Sequence, residues 1–253
     1  MPRQVDEVFE DEFLASLYDH FNTWDACDEF YLALARESGG RVLDLGCGTG
    51  MLACRIAHEG LSVTAADPAE GMLRVARSRA GAERVAWIKA DGQSLRLSLR
   101  FNLIYMTGHA FQTLLTDDDA IAVLRTVHDH LAVEGRFAFE SRNPARQAWL
   151  SWIAERRKLA ATNEHGRVEE FFDAAADSRT GIVNLVHHYR FLDADKVITG
   201  RSRLRFIDQE HLVRLLAAAG LTPMTWYGDW DRSPLTPTSG EFIVLANRVD
   251  WGY

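Results

Sequence analysis

The sequence predicts an α/β protein with a doubly wound, mostly parallel β-sheet. Short apolar segments alternate with amphipathic helical segments through residue 140, which is the pattern of strand–helix–strand units. The first apolar segment, residues 42–45, leads directly into three glycines at alternate positions. The last two apolar segments are joined by a connection too short for a helical crossover, so we expect an antiparallel last strand.

The expected elements follow from apolar periodicity and from residues that begin or end helices. The seven strands of the sheet are expected at residues 42–45, 61–67, 85–90, 101–106, 136–140, 222–227 and 241–246. The helices between them are expected at residues 51–59, 68–79, 117–131 and 208–219. Thr116 is the expected N-cap of the third helix, because its hydroxyl can accept a hydrogen bond from the first turn.

Residues 41–50, RVLDLGCGTG, are the most informative segment of the chain. A buried strand that runs through a glycine turn into a helix builds a nucleotide-type site at the carboxyl edge of a sheet. Glycines allow the turn to adopt conformations that other residues avoid, and they let the backbone approach a ligand. A dinucleotide fingerprint would place its third glycine at Met51, whereas this chain has it at Gly50.

This Gly-x-Gly-x-Gly motif, preceded by Asp-Leu, resembles the first motif of class I S-adenosylmethionine-dependent methyltransferases. The resemblance implies a Rossmann-like sheet with S-adenosylmethionine as cofactor and S-adenosylhomocysteine as product. Asp67 follows Gly46 by 21 positions, close to the ~20 expected for an acid that binds ribose hydroxyls. In the resembled family, an acid at the position of Asp91 binds the adenine amino group.

The resemblance thus predicts a set of cofactor-binding residues at the strand ends. They are Asp44, Gly46, Cys47, Gly48, Gly50, Asp67, Pro68, Met72, Asp91, Gly92, Gln93, Met106, Thr107 and Tyr18. Tyr18 represents the aromatic residue that the family places near the methionine part of the cofactor, and Trp24 and Tyr31 are alternatives. Each acid could also be an ordinary loop residue. One departure is Asn102, which stands where many members have Asp.

Two additions surround the cofactor domain, which is expected at residues 39–143 and 207–253. Residues 1–38 predict two helices that cover the cofactor site. Residues 144–206 predict a lid over the acceptor, with a helix from Pro144 to about Lys158. Its three antiparallel strands are expected at residues 167–174, 182–192 and 196–206. This insertion resembles that of small-molecule methyltransferases, including the sugar N-methyltransferases, where such sheets can mediate dimerisation; we therefore expect a monomer or homodimer.

The acceptor site is expected where the fourth and fifth strands end. His109 follows the fourth strand and is the best candidate for a general base, which is needed only for a hydroxyl or protonated amine acceptor. Glu140 is a second catalytic candidate. The candidate substrate-binding residues are Phe111, Arg142, Asn143 and Tyr189. Alternatively, His109 bonds the backbone, and the residues that end the fifth strand cap the next helix.

Arg201, Arg203 and Arg205 share one face of a predicted strand. They could bind an anionic acceptor, or they could pair with acids such as Glu169 or Asp173 on neighbouring strands. The second interpretation is favoured, because exposed charge pairs across strands are common.

Composition limits the function classes. The net charge of −8 disfavours a nucleic acid partner, and no apolar run is long enough to span a membrane. The N-terminal residues are too acidic and polar for a signal peptide, and the three cysteines have no paired spacing, so we expect a reduced, cytoplasmic protein. No metal-ligand spacing is present, and no metal is expected.

The predicted function is methyl transfer from S-adenosylmethionine to a nitrogen or oxygen nucleophile of a small-molecule acceptor. One alternative is a nicotinamide-dependent oxidoreductase on the same sheet. Met51 in place of a third glycine, and the lack of a Tyr-x-x-x-Lys pair after the fourth strand, count against it. The other alternative is a scaffold that binds the cofactor without catalysis.

Overall fold

The computed structural model describes residues 5–154, 158–162 and 166–249. Its strands are β1 (Arg41–Leu45), β2 (Ser62–Asp67), β3 (Val85–Lys89), β4 (Phe101–Met106), β5 (Leu131–Arg142), β6 (Lys158–Thr162), β7 (Gly166–Asp177), β8 (Ile182–Phe191), β9 (Lys196–Arg205), β10 (Leu221–Tyr227) and β11 (Glu241–Arg248). Its α-helices are α1 (Glu7–Glu10), α2 (Glu12–Phe21), α3 (Ala26–Ser38), α4 (Met51–His58), α5 (Glu70–Ser78), α6 (Asp117–His130), α7 (Trp149–Ala154) and α8 (Gln209–Ala218).

The larger sheet has seven strands in the order β10-β11-β5-β4-β1-β2-β3. Strand β1 pairs in parallel with β2 and β4, whereas β11 is antiparallel to both β5 and β10. The predicted mostly parallel sheet with an antiparallel last strand is therefore confirmed. The reversed strand lies one position inside the sheet, and β10 forms the edge.

Helices cover both faces of this sheet, as a parallel sheet with buried strands requires. On one face, side chains of β4 and β5 pack with those of α6 and α8. On the other face, the strands pack against α3 and α4. Polar side chains cap these helices: Asp25 begins α3 with a capping box, and the Thr116 hydroxyl accepts from the Asp119 amide, as predicted.

The predicted insertion helix from Pro144 to about Lys158 is wrong in its second half. The chain forms a 3-10 turn at Pro144–Arg146 and the short α7, and Lys158 already begins β6, which pairs with β7. Residues 155–157 lie outside the described residues. The KLAAT sequence of β6 lacks strand character, and alanine and lysine favour helix, so its pairing with β7 overrides local preference. Helix α1 was also not predicted.

Strands β6, β7, β8 and β9 form a separate antiparallel sheet, which we call the platform. One face of the platform, its inner face, packs against the rest of the protein. As predicted, alternate residues of β8 share this face. They are Val183, Leu185, His187, Tyr189 and Phe191, and all but His187 are buried. A Cβ on Gly200 of β9 would lie 2.6 Å from Val8 Cγ1, so this glycine lets α1 approach the platform closely.

The arginines of β9 form ion pairs, but not with the partners that were expected. Arg203 Nη2 lies 3.6 Å from Asp6 Oδ1, and Arg205 Nη2 lies 2.7 Å from Asp117 Oδ1. The expected partners Glu169 and Asp173 are on β7, which β8 separates from β9. These two arginines therefore join the platform to the residue before α1 and to α6. In the described part of the chain, no helix is long and apolar enough to cross a bilayer.

Gly71→Ala is expected to destabilise the fold, although alanine is the better helix former. Gly71 lies in α5, and a Cβ there would come within 2.5 Å of the Glu10 carbonyl oxygen and 2.9 Å of the Phe9 carbonyl oxygen in α1. The clash should outweigh the helix gain of about 1 kcal/mol and lower the unfolding free energy by about 1–3 kcal/mol. Urea unfolding would measure the change, with Ser78→Ala as control. A more stable Gly71→Ala variant would contradict the described packing of α1.

Candidate active site

The glycine turn after β1 is held against the end of β2. Gly46, Gly48 and Gly50 all have positive φ, at 85°, 51° and 71°. The Gly46 amide donates to the Ala66 carbonyl oxygen at 2.8 Å, and the Gly48 amide donates to Asp67 Oδ2 at 2.8 Å. The turn therefore needs glycine conformations, and a carboxylate from the neighbouring strand fixes its geometry.

Gly50 is also required by close packing. A Cβ at this position would lie 2.4 Å from Trp87 Cη2 and 3.0 Å from Ala76 Cβ. Trp87 belongs to β3 and Ala76 to α5, so the beginning of α4 is pressed against both elements. A larger residue at position 50 would therefore move the turn away from the sheet edge.

Two acids mark adjacent strand ends beside this turn. Asp67 is almost fully buried, and its Oδ1 accepts from the Ala69 amide at 2.8 Å. A carboxylate has about four lone-pair positions, so Asp67 can accept further bonds. The Ala90 amide donates to the Asp67 carbonyl oxygen at 3.1 Å, which brings Asp91 next to it. Asp91 Oδ1 accepts from the Gln93 amide at 2.9 Å.

Asp44 is a buried acid with an unsatisfied oxygen. The Tyr105 hydroxyl donates to Asp44 Oδ2 at 2.8 Å, whereas Oδ1 is buried without a hydrogen-bond partner. Burial raises the pKa of Asp44 to about 8. A buried acceptor without a partner is costly, and a cation beside it would remove that cost. Asp44 lies in β1, two residues before the glycine turn.

Helix α2 is tied to the glycine turn by an ion pair that the sequence did not reveal. The Thr49 hydroxyl donates to Asp19 Oδ1 at 2.6 Å. Arg79 forms an ion pair with Asp19, and its Nε donates to the Thr49 carbonyl oxygen at 3.1 Å. These three residues come from α2, the turn and the end of α5, so the N-terminal helices are held over the cofactor edge.

Of the three predicted aromatic candidates, Tyr18 reaches this edge. Its hydroxyl lies beside Gly108, which follows β4. Burial raises the pKa of Tyr18 to about 12, with smaller contributions from Asp19 and other carboxylates, while the Arg142 guanidinium lowers it. The alternatives are engaged elsewhere: the Trp24 indole donates to Glu29, and the Tyr31 hydroxyl donates to Glu140.

His109 has a strained backbone and a carboxylate partner. Its φ is 60°, in the left-handed region, and its amide donates to Glu140 Oε1 at 2.5 Å. Its Nε2 lies 3.1 Å from Glu241 Oε2. Because a carboxylate only accepts, Nε2 carries the proton of this bond and Nδ1 is the acceptor nitrogen. Burial and the Arg142 guanidinium lower the pKa of His109, so the neutral ring is favoured.

Glu140 lies beneath this turn. It has no exposed surface, and its second oxygen accepts from the Tyr31 hydroxyl. Burial raises the pKa of Glu140 to about 8. With both oxygens engaged and no access to a ligand, Glu140 holds His109 in place, which differs from the direct catalytic role that was predicted. Glu241, the partner of the His109 ring, was not predicted, because it begins a strand with no motif around it.

Comparison with known proteins agrees with this geometry. A family model described as a methyltransferase domain matches residues 42–135, the segment that holds the glycine turn, Asp67 and Asp91. Residues 42–135 therefore form a methyltransferase domain. This confirms the predicted family and its cofactor, S-adenosylmethionine, and it disfavours the nicotinamide alternative.

Curated relatives match part of the chain. The demethylmenaquinone methyltransferase of Clavibacter sepedonicus is 39% identical over 102 residues, which is 37% of this chain and 41% of that protein. A malonyl-[acyl-carrier protein] O-methyltransferase of Geobacter sulfurreducens is 42% identical over 104 residues, 39% of this chain and 37% of that protein. The chain thus spans less than half the length of these two relatives.

Solved structures match the whole fold. The CcbJ methyltransferase from Streptomyces caelestis has a TM-score of 0.79 at 18% identity, covering 97% of this chain and 100% of that one. The sugar N-methyltransferase KedS8 from Streptoalloteichus has a TM-score of 0.74 at 17% identity, covering 99% and 96%. At such low identity, these similarities show the fold of the methyltransferase domain and its additions.

The structure divides the predicted cofactor residues into three groups by their exposure. Those with partly exposed surface are Gly46, Cys47, Gly48, Pro68, Asp91, Gly92, Gln93, Thr107 and Tyr18. Besides the buried acids and Gly50, the others are core residues: Met72 packs against Ala15 and Ala69, and Met106 lies in the core beneath α6. Both methionine side chains are buried and pack within the protein.

The predicted substrate residues also differ in their surroundings. Phe111 is a core residue whose ring centroid lies 4.5 Å from that of Phe139. Asn143 is buried, and its Nδ2 donates to the Ser239 carbonyl oxygen at 2.9 Å. These two residues therefore support the site rather than line it. Tyr189 is buried on the platform, where its ring centroid lies 5.8 Å from that of Phe21.

Arg142 is the predicted substrate residue that stays beside the catalytic groups. Its guanidinium carbon lies 4.8 Å from the ring centroid of Trp152, and its Nη1 donates to Gln112 Oε1 at 3.1 Å. Burial lowers the pKa of Arg142, while Glu241 and Glu140 act in the opposite direction. Arg142 thus places a positive charge between the His109 turn and the insertion.

Glu140→Gln is expected to reduce the loss of stability that occurs as the pH rises. Folding raises the pKa of Glu140 from 4.5 to about 8, so the folded protein binds the extra proton between these values. The wild type should therefore lose stability from about pH 4.5 towards pH 8, and the variant should lose less. Urea midpoints measured across this range, with the exposed Glu83→Gln as control, would test this. Parallel profiles for the variant and the wild type would contradict it.

Proposed function

We propose that the protein transfers the methyl group of S-adenosylmethionine to a nitrogen or oxygen atom of a small-molecule acceptor and releases S-adenosylhomocysteine. The observation that carries this proposal is the arrangement of the glycine turn, Asp67 and Asp91 at adjacent strand ends, inside the segment that matches the methyltransferase family. The scaffold alternative requires no acceptor site, whereas this chain has a histidine–carboxylate pair and an arginine beside the cofactor edge.

The residues at this edge fit the chemistry of the cofactor. Asp44 Oδ1 is a buried acceptor without a partner, and it suits the ammonium group of the cofactor's methionine part. Asp67 would accept from the ribose hydroxyls, and Asp91 would accept from the adenine amino group. When bound, S-adenosylmethionine supplies a methyl group already activated by its positively charged sulfur. The protein then has mainly to orient the acceptor.

His109 is the proposed general base for an acceptor that carries a proton. Its lowered pKa keeps the ring neutral, and the bond from Nε2 to Glu241 leaves Nδ1 free of a proton. Glu241 would stabilise the imidazolium that forms when the ring takes a proton. Glu140 and Tyr31 are proposed positioning residues, because Glu140 accepts from the His109 amide and Tyr31 donates to Glu140.

The acceptor is proposed to lie between the methyltransferase domain and the platform. The relatives and the solved structures carry names with different acceptors, including a menaquinone precursor, malonyl-[acyl-carrier protein] and a sugar amine. The family match ends at residue 135, before the insertion. We propose residues 144–206 as the acceptor lid, with Arg142 and Tyr18 at its border.

Binding of the cofactor is the first test. Calorimetry should detect S-adenosylmethionine and S-adenosylhomocysteine, and Asp67→Ala should weaken both by about tenfold or more, because it removes a charged acceptor and the bond to the Gly48 amide. Asp129→Ala, an exposed position on α6, is the matched control. Binding of NADH instead of the sulfur compounds would overturn the proposal.

The pairing of His109 with Glu241 can be tested without the acceptor. Glu241 raises the pKa of the His109 ring, opposing burial, so Glu241→Gln is expected to lower this pKa further. NMR titration of the His109 ring nitrogens would measure the shift, with Glu37→Gln on α3 as control. An unchanged pKa in Glu241→Gln would show that the two side chains do not form a functional pair.

A further inference from the structure

The inner face of the platform carries polar side chains between two apolar clusters. At one end, Val168 and Phe191 pack with α1 and α2. At the other end, Val183 and Leu185 pack with Trp149, Trp152 and Phe206. Glu170 of β7, His187 of β8 and Ser202 of β9 lie between these clusters, and we call these three residues the polar band. Each of the three strands contributes one member.

The polar band is buried and incompletely paired. Glu170 and Ser202 are each 4% exposed. His187 Nε2 lies 2.8 Å from Ser202 Oγ, whereas Nδ1 lies 3.7 Å from Glu170 Oε1 and is a buried atom without a hydrogen-bond partner. The Tyr189 hydroxyl bonds to Glu170. Lys158 lies opposite Glu170 in the β6–β7 register, but its Nζ donates to the Phe21 carbonyl oxygen at 3.1 Å. Within the described residues, no lysine or arginine forms an ion pair with Glu170.

Helix α2 and Trp152 connect the polar band with the proposed methyl-transfer site. Tyr18 lies beside Gly108, which follows β4, and Phe21 of the same helix packs on Tyr189, whose hydroxyl bonds to Glu170. Arg142 in turn lies over Trp152, which belongs to the apolar cluster next to the polar band. Tyr18 and Arg142 therefore form the border between the cofactor edge and the inner face of the platform.

The chemistry of the polar band selects one class of ligand. A buried carboxylate without a lysine or arginine partner is energetically unfavourable. An apolar side chain at this position could instead have packed against the neighbouring apolar clusters. If His187 Nε2 donates to Ser202, its Nδ1 is a second acceptor, 3.7 Å from the carboxylate. Two close acceptors, one of them charged, suit a group with several N–H donors and a positive charge.

We propose that the polar band binds a basic amine group of the methyl acceptor, with Glu170 as its counter-ion and His187 Nδ1 as a second hydrogen-bond acceptor. This inference rests on the proposed function, because it names the acceptor class of the same site. An acceptor with a hydroxyl in place of the amine would leave the Glu170 charge unpaired and would bind more weakly.

The test uses two matched pairs of probes on the full chain saturated with S-adenosylhomocysteine. Benzylamine is compared with benzyl alcohol, and glucosamine with glucose, by calorimetry or NMR titration. The wild type is expected to bind each amine about tenfold or more tightly than its hydroxyl counterpart. Glu170→Gln should reduce this preference to about threefold or less. Glu169→Gln, the adjacent residue on the outer face of the same strand, should leave the preference unchanged.

The outcomes separate the inference from the proposed function. Absence of S-adenosylhomocysteine binding by the wild type would overturn both. Normal cofactor binding without an amine preference, or with a preference that Glu170→Gln retains, would overturn the inference alone. If Glu170→Gln itself fails to bind the cofactor, His187→Phe replaces it, since a phenyl ring has no acceptor in place of Nδ1. In that variant the amine preference should fall at least about threefold, and an unchanged preference would overturn the inference.

Discussion

The carboxylate of Asp67 is the interaction on which the site depends. It accepts from the amide of Gly48 in the glycine turn and from the amide of Ala69 at the start of α5, so one side chain fixes the loops after two adjacent strands. The glycine turn also carries Thr49, whose hydrogen bond to Asp19 holds α2 over the cofactor edge. The Asp67 carboxylate therefore acts together with the Ala66 carbonyl oxygen, which accepts from Gly46, to set the position of the turn.

The buried acids of this site have different proposed roles because their hydrogen-bond partners differ. Asp44 and Glu140 are both buried, and the pKa of each is raised to about 8, yet their partners differ. Glu140 has both oxygens bonded, which makes it a support for His109. Asp44 keeps one oxygen without a partner beside the cofactor edge. Glu170 is also buried, on the platform, and the acceptor without a partner beside it is Nδ1 of His187.

The sequence predicted those features that depend on local pattern. The strands of the larger sheet, the glycine turn and the Thr116 cap follow from periodicity and from backbone preferences, and all are present. Strand β6 was missed because its stability comes from pairing with β7 rather than from its own residues. Phe111 and Asn143 lie near the predicted site in sequence, but tertiary packing turns them towards the core and the 228–240 loop. Glu241 was missed because its partner, His109, is far away in the chain.

The position of β11 has a consequence for how the protein is made. This strand inserts between β5 and β10, so both of those strands keep an open edge until residues 241–248 have left the ribosome and paired. Glu241 can reach His109 only after β11 has been synthesised and has paired. The proposed His109–Glu241 pair therefore forms late, and a nascent chain that stalls before residue 241 exposes two unpaired edges, which are sites for association with other chains.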